Sequence, residues 1–445
     1  MKRLLVLSYF FPPLGGGGCQ RTLKLVRYLE PNGWVSTVVT VKEPDYWILD
    51  PTLLEEIPAS CEVARVSALT SQRLLRLLGG AGVQLEERQG TRRAGAFRAL
   101  RRLQQFVAIP DGYRPWARAA ERAAAARLAK GGIDALWTTS SPESAHLAGL
   151  ALKRKFALPW IADFRDPWVG RVTYAPPTAW HDRRHRALER EVVATADRVT
   201  VVSEAMAARF RERYPALGPA HFVVLPNGYD PDDWARVARL PLSLEPDAAR
   251  EADARRFVVL HAGQLAHRPT VGDLLAAVAR LVEESPARRK TLRLRFMGGN
   301  EGLDAATVAR KGLSEVVDLL PSRPHLEAMA AMRRANLLVL LGHGGEADSQ
   351  LYTGKIYEYL TSGTPLVGVL GPGPASDLIS RAGGGRACLP GDVDGVCSAI
   401  RSPLEAWERH EKRQDLPLPA IAVEWERRTM ARQAAELLDS VHSKR

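Results

Sequence analysis

The sharpest chemistry in the sequence lies in TGKIYEYLTSGTPLV, Thr353 to Val367. Thr353 and Gly354 read as a helix start and Gly363 as its stop, with a strand to follow. Lys355 and the free N–H groups near Gly354 can bind a diphosphate, because a helix start combines unpaired donors with a positive dipole end. Glu358, one turn later, can accept hydrogen bonds from both hydroxyls of a ribose, a task for a carboxylate. A second group sits in PWIADFRDPW, where Asp163, Arg165 and Asp166 fall at the carboxyl end of a strand. An arginine between two acids can orient one carboxylate, grip a phosphate in bidentate fashion, or anchor its loop by a salt bridge. His146, in SSPESAHLAGL, can titrate near neutrality, although its apolar helical setting suits a core or capping role equally well. A third group is the loop FFPPLGGGGCQR, Phe10 to Arg21. Gly15–Gly18 carry no side chains, so a ligand can approach the backbone, and a helix from about Gln20 aims its N–H groups at the loop.

These residues need strands to present them. Short apolar runs occur at Leu4–Leu7, Thr37–Val41, Ala135–Thr138, Trp160–Asp163 and Val199–Val202. A second series occurs at Phe257–Leu260, Leu292–Met297, Leu337–Leu340 and Pro365–Leu370. Amphipathic stretches of helical length separate them, among them Trp116–Lys130, Pro142–Phe156, Trp180–Thr195 and Val271–Glu284. Strand–helix alternation with near-continuous apolar strands predicts an α/β protein: two Rossmann-like parallel-sheet domains, with a break within Pro215–Arg255. In such sheets ligands sit beyond the carboxyl ends of the strands, where the second and third groups fall.

Composition narrows the partners. The chain has 445 residues and a formal charge of +12, which favours anionic partners. No dinucleotide fingerprint GxGxxG with a ribose-binding acid is present, and no GxxxxGK[ST] phosphate loop. Four scattered cysteines, Cys19, Cys61, Cys388 and Cys397, argue against a disulfide framework or a zinc site. His181 and His185 lack the glutamate of a HExxH pair, so no metal site is expected. The apolar start LLVLSYFF meets Pro12-Pro13 without a cleavage site, and no run approaches the ~18–20 apolar residues of a membrane span. A cytoplasmic protein, at most peripheral to the inner face of the cell membrane, is expected. Arg88, Arg92, Arg93, Arg98, Arg101 and Arg102 follow one another without an acid, and from Phe97 the pattern turns helical. This run, Arg88–Arg102, can contact an anionic membrane surface or form a solvated helix face. Nucleic acid is not an expected partner, since the basic run lacks interleaved aromatics.

Taken together, YFFPPLGGGGCQRTLKLVRYL, IPDGYRPW, WTTSSPESAHLAGLALKRKFALPWIADFRDPW, ADRVTVVSEAM, VVLPNGYDPDDW, HAGQL and KIYEYLTSGTPLV resemble glycosyltransferase family 4, of the bacterial surface-polysaccharide type. The resemblance implies the GT-B fold, two Rossmann-like domains facing a cleft. It implies residues 1–218 as the acceptor-side domain, with 420–445 packing back onto it, and 219–419 as the nucleotide-sugar-binding domain. It further implies a retaining hexosyltransferase that needs no metal ion or other cofactor. The donor would be a nucleotide sugar, and the acceptor a glycan, a lipid-linked molecule or a small molecule. By motif, Glu358 matches the ribose-binding second glutamate of the family's E-x7-E element. Gln350 stands where the first glutamate would be. Gly263 and Gln264 match a glycine followed by a basic residue, and Arg268 can supply the cation that Gln264 lacks. Gly16 and Gly17 match the glycine loop near the phosphates and acceptor. The family's frequent histidine after the strand is absent, and Arg165 and Asp166 occupy that region. With His146, they are the candidates for the reacting centre. A GT-B epimerase or phosphorylase, and a noncatalytic nucleotide- or glycan-binding protein, are the competing readings.

Overall fold

The computed structural model describes residues 1–43, 48–68, 106–171, 174–240, 255–266, 268–299, 302–345, 348–349 and 354–443. The Arg88–Arg102 run therefore lies outside the described residues. Contacts divide the chain into two units, Met1–Pro226 with Arg427–Arg445, and Asn227–Glu426.

The first unit holds a seven-stranded parallel sheet. Its strands are β1 (Lys2–Leu7), β2 (Trp34–Val41), β3 (Glu62–Val66), β4 (Ala135–Ser140), β5 (Trp160–Phe164), β6 (Arg198–Val201) and β7 (Phe222–Val224). They lie in the order β3-β2-β1-β4-β5-β6-β7. The second unit holds a six-stranded parallel sheet of β8 (Phe257–Ala262), β9 (Leu292–Met297), β10 (Val317–Leu320), β11 (Leu337–Leu341), β12 (Leu366–Val369) and β13 (Gly385–Cys388), ordered β10-β9-β8-β11-β12-β13. In each sheet the order reverses beside the first strand, between β1 and β4 and between β8 and β11. The loops after β1 and β8 thus open at a topological switch point.

Nine strands were expected from apolar runs, and all nine are the interior strands of the two sheets. The four without such a run, β3, β7, β10 and β13, are the four edges. An interior parallel strand is covered on both faces and is mainly apolar; an edge strand need not be. β13 shows this directly: Gly385, Arg386 and Ala387 are exposed and only Cys388 is buried. Helix Val271–Glu284 has the expected bounds, because Leu274, Leu275, Val278, Leu281 and Val282 form one apolar stripe against β8 and β9.

The terminal segment 420–445 holds two elements. A 3-10 turn, Ala420–Trp425, belongs to the second unit, and helix Arg427–His442 to the first. That helix buries Met430, Ala431, Ala434, Ala435 and Leu438 against Leu23 and Val26. Asp439 accepts from Trp34 Nε1 at 2.9 Å. In the second unit Gly228 passes so close to Trp425 that a Cβ would lie 2.0 Å from its carbonyl oxygen. Asp230 then caps helix Pro231–Arg239, accepting from Asp232 N–H at 3.0 Å.

The first unit is organised around one buried ion pair. Arg21, on helix Gly17–Leu29, donates Nε–H and Nη2–H to the two oxygens of Asp163 at 3.0 and 2.7 Å. Asp163 also accepts from Thr139 on β4 at 2.9 Å and Thr200 on β6 at 2.7 Å. The remaining N–H groups of Arg21 reach the carbonyls of Leu225 and Pro226 at 2.9 and 3.0 Å. Burial pushes the Asp163 carboxyl up, but Arg21 and the two hydroxyls outweigh it and hold the group below the usual carboxylate range. Removing either partner leaves an uncompensated charge. Arg21→Met or Asp163→Asn should each cost about 3–5 kcal/mol of stability, read as a lowered midpoint in urea denaturation. A midpoint within error of the native one would show that the pair does not hold the unit together.

Candidate active site

In the first unit the glycine loop follows β1. Gly16 has φ 86°, a left-handed conformation, and precedes helix Gly17–Leu29. Gly17 has nothing within 4 Å of where a Cβ would stand. The close approach is at Gly18, where a Cβ would lie 1.9 Å from Nη1 of Arg165. Gly18 was not singled out from sequence, since four consecutive glycines look alike there.

Arg165 does not serve Asp163, which Arg21 holds. It leaves the end of β5 and donates to the carbonyls of Ser140 and Ser141, the latter at 2.8 Å. Its guanidinium lies over the Phe10 ring at 5.5 Å. Asp166, the next residue, is exposed. His146 is wholly buried. Its Nδ1 meets Thr138 Oγ1 at 2.8 Å and its ring stacks on Phe164 at 4.4 Å. Burial holds its pKa down to about 3, so it stays neutral and packs in the core. The structure thus places Arg165 and Asp166 at the strand end and sets His146 inside. Sequence reasoning also missed Glu143, just after β4. Burial pushes its carboxyl up to about 7, Arg171 pulls against that rise, and Asp111 adds to it.

In the second unit the loops after β8, β9, β11 and β12 and the start of helix Lys355–Thr361 share a set of close contacts. Gly263 has φ 154°, and a Cβ there would lie 1.6 Å from Lys355 Nζ. The ammonium group therefore occupies the space that the glycine leaves. Gly298 in turn packs on Gly263, with a Cβ position 2.5 Å from its carbonyl oxygen. The helix is pinned to β8 by Tyr359, whose hydroxyl accepts from Ala262 N–H at 2.7 Å. Arg268 donates to the carbonyl of Leu341. Gln264 is half-buried beside it in the same loop. Asp348 closes the loop after β11, accepting from the N–H groups of His343 and Gly371, both at 2.7 Å, and of Gly344 at 3.1 Å. Gly354 stands against Asn227, and Thr353 and Gln350 lie outside the described residues.

Glu358 lies one turn from Lys355 with its side chain 16% exposed. His325 Nε2 stands 3.8 Å from its Oε1 and 3.5 Å from Oδ2 of the buried Asp233. His325 and Asp348 were not anticipated. A histidine at a helix start and an aspartate in a loop carry no pattern that separates them from solvated residues. Gly298 was legible in principle, being a strand-end glycine like Gly263.

The electrostatics of this group are set by two cations in little solvent. Burial, and then the Arg268 cation, hold the Lys355 amine down to about 8, with Glu358 pulling the other way. Burial also lowers Arg268. Two like charges share a poorly solvated space, and an anion would relieve both.

Two parallel sheets with glycine loops at their switch points are the arrangement of the GT-B fold. Residues 15–233 match the model described as Glycosyltransferase Family 4. A curated relative, glycogen synthase of Mycobacterium tuberculosis (strain CDC 1551 / Oshkosh), is 24% identical over 316 residues, covering 70% of this chain and 71% of its own. D-inositol 3-phosphate glycosyltransferase of Streptomyces bingchenggensis (strain BCW-1) is 29% identical over 163 residues, 34% of each chain. Among solved structures, sucrose-phosphate synthase from Thermosynechococcus elongatus superposes with a TM-score of 0.64 at 18% identity, over 100% of both chains.

The depressed Lys355 makes a prediction about the ligand-free protein. Its charged form is disfavoured by folding, so it weakens the fold at neutral pH. That penalty fades as pH rises from about 8 toward the unfolded value near 10.5. Lys355→Met should therefore melt higher than the native protein at pH 7, and the gap should close by pH ~10.5. Thermal melts of both proteins across that range test it; a gap that does not narrow with pH would place the amine in ordinary solvent.

Proposed function

We propose that this glycosyltransferase moves a sugar from a nucleotide-sugar donor, with retention of anomeric configuration and without a metal ion. The acceptor is a glycan, a lipid-linked molecule or a small molecule. The observation that carries the reading is the Lys355 ammonium seated over Gly263 beside Arg268, one helical turn from Glu358. Breaking the sugar–phosphate bond leaves a nucleoside diphosphate with added negative charge on its terminal oxygen. Preorganised cations in a poorly solvated site stabilise that charge, the role that a divalent ion plays elsewhere. Glu358, with His325 and Asp233 behind it, accepts the ribose hydroxyls. Thr353 and Gly354 would present backbone N–H groups to the same diphosphate, with Gly263 and Gln264 lining its other side.

Retention follows if the acceptor hydroxyl attacks from the face that the phosphate leaves. The new bond joins the acceptor oxygen to the anomeric carbon, the bond to phosphate breaks, and the leaving phosphate oxygen takes the hydroxyl proton. No protein nucleophile is needed. In the first unit the loop at Gly16 and Gly17, with Arg165 and Asp166, offers N–H donors, a cation and an exposed carboxylate to an acceptor. The names of the two relatives, with glycogen in one and D-inositol 3-phosphate in the other, support acceptors of both polymeric and small kinds. Among the described residues no helix is long and apolar enough to cross a membrane. A cytoplasmic enzyme at the inner face of the membrane, with Arg88–Arg102 toward anionic lipid, fits that reading.

Glu358→Gln should lower kcat/KM for the donor by about 10–100-fold, the worth of a hydrogen bond to a charged group. kcat/KM should fall above pH ~8 as Lys355 in the free enzyme loses its proton, and Lys355→Met should be slow with that fall gone. Turnover should persist in excess chelator. Full activity of Glu358→Gln would overturn the donor-site assignment, and loss of turnover in chelator would overturn metal independence.

A further inference from the structure

Several surface arginines of the described chain are paired with acids. Arg211 meets Glu204, Arg280 meets Asp394, Arg401 meets Glu284 at 2.6 Å, and Arg409 meets Glu411 at 2.7 Å. Helix Ala179–Thr195 gathers, on one face, three that are not. Its inner face buries His181, Leu188, Glu189, Val192 and Val193. Its outer face carries Trp180, Arg183, Arg184, Ala187 and Arg190, all exposed and spaced as one helical stripe. The acids nearby are engaged elsewhere: Asp182 pairs with Arg186 at 2.8 Å and Glu191 with Arg154 at 2.6 Å. Among the described residues, Arg183, Arg184 and Arg190 have no carboxylate partner.

Beside this stripe lies exposed apolar surface. Trp180 is 56% exposed, Phe106 51% and Val107 74%. Trp180 and Phe106 are the only aromatic rings among the large apolar side chains exposed in the described chain. They are neighbours, because both pack edge-on against the His181 imidazole, at 4.9 and 5.4 Å. His181 Nε2 is also 3.1 Å from the Phe106 carbonyl oxygen, which fixes the two segments together. Aromatic rings beside unpaired cations are the composition of a membrane-interface anchor. The rings settle at the headgroup level, and the guanidinium groups meet anionic phosphates.

We propose that the face formed by Trp180, Arg183, Arg184 and Arg190, with Phe106 and Val107, docks on an anionic lipid bilayer. The surface charge selects lipid phosphate, and the exposed rings supply apolar contact that salt does not screen. The sequence leading into Phe106 is the Arg88–Arg102 run, so the same charge sign continues along the chain. This docking is separate from sugar transfer and does not require the donor site.

The test is co-sedimentation of the full chain with vesicles of equal phosphatidylglycerol and phosphatidylcholine, against vesicles of phosphatidylcholine alone. Three variants are compared with the native protein: R183E/R184E/R190E, W180S/F106S, and R280E/R401E/R409E, which changes net charge equally in the second unit. The native protein and R280E/R401E/R409E should pellet with the anionic vesicles only. R183E/R184E/R190E should partition at least ~tenfold more weakly, since each basic residue at such a surface counts severalfold. W180S/F106S should release at a lower salt concentration than the native protein. Melting curves check that all remain folded, and transfer to a soluble acceptor should run at the native rate in each. That rate reports on the transferase reading independently of docking. Four results would overturn the proposal. Equal weakening of both arginine triples would reduce it to net charge. Native binding by R183E/R184E/R190E would move the docking to another face. An unchanged salt response of W180S/F106S would remove the aromatic anchor. Native protein left in the supernatant with both vesicles would make the face a site for a protein or for the chain's own segment.

Discussion

The buried bond between Arg21 and Asp163 is the constraint from which the first unit's site is built. Arg21 sits on the first turn-and-a-half of helix Gly17–Leu29, so holding its guanidinium holds the helix start, and with it the glycine loop. Asp163 lies near the carboxyl end of β5 and also gathers hydroxyls from β4 and β6. One carboxylate thus sets three strands and a helix in register at the carboxyl edge of the sheet, where Arg165 and Asp166 emerge. A buried pair of this kind is weak evidence for stability when compared with an apolar replacement. Its geometry nonetheless fixes where the site's residues stand.

The second unit is arranged differently. Its site sets Lys355 and Arg268 in a space that solvates neither well, and both are shifted toward their neutral forms. Such an arrangement costs stability in the empty protein and becomes favourable when an anion arrives. The supports around it are neutral or satisfied: Tyr359 bonds the backbone of Ala262, and Asp348 is occupied by three N–H groups. Among the described residues Glu358 is the carboxylate that acts on Lys355, and it is partly exposed. On the proposed donor-site reading, such strain is what electrostatic preorganisation requires.

Much of this was legible in the sequence, and the boundary of legibility is physical. Interior strands announce themselves because both faces are covered, which is why Leu4–Leu7 and Leu337–Leu340 read correctly while Gly385–Cys388 did not. Helix Val271–Glu284 was readable to the residue because one stripe of leucine and valine defines it. Lys355, Glu358, Gly263 and Arg268 were found by motif, and they meet at one sheet edge. What sequence could not supply was pairing at a distance. Asp163 was grouped with its neighbour Arg165, two residues away, whereas its true partner is Arg21, far off in the chain. His146 looked titratable because histidine is; only its burial against Thr138 and Phe164 removes it from the chemistry.

The glycines show how the two units solve one problem alike. The loop after β1 was read as an opening through which a ligand approaches the backbone, and the loop after β8 as a glycine followed by the place of a basic residue. In both, the missing Cβ is first of all filled by a cation of the protein itself: Arg165 against Gly18, and Lys355 against Gly263. A side chain at either glycine would meet the charged end of the arginine or lysine and push it away. The glycine therefore does more than free the chain to turn. It lets a cation delivered by a distant element stand at the switch point, where the backbone N–H groups of the loop already favour negative charge. An anionic ligand at such a place is met by donors from the loop and by a cation from elsewhere in the fold, and the glycine is what brings the two within reach of the same atoms.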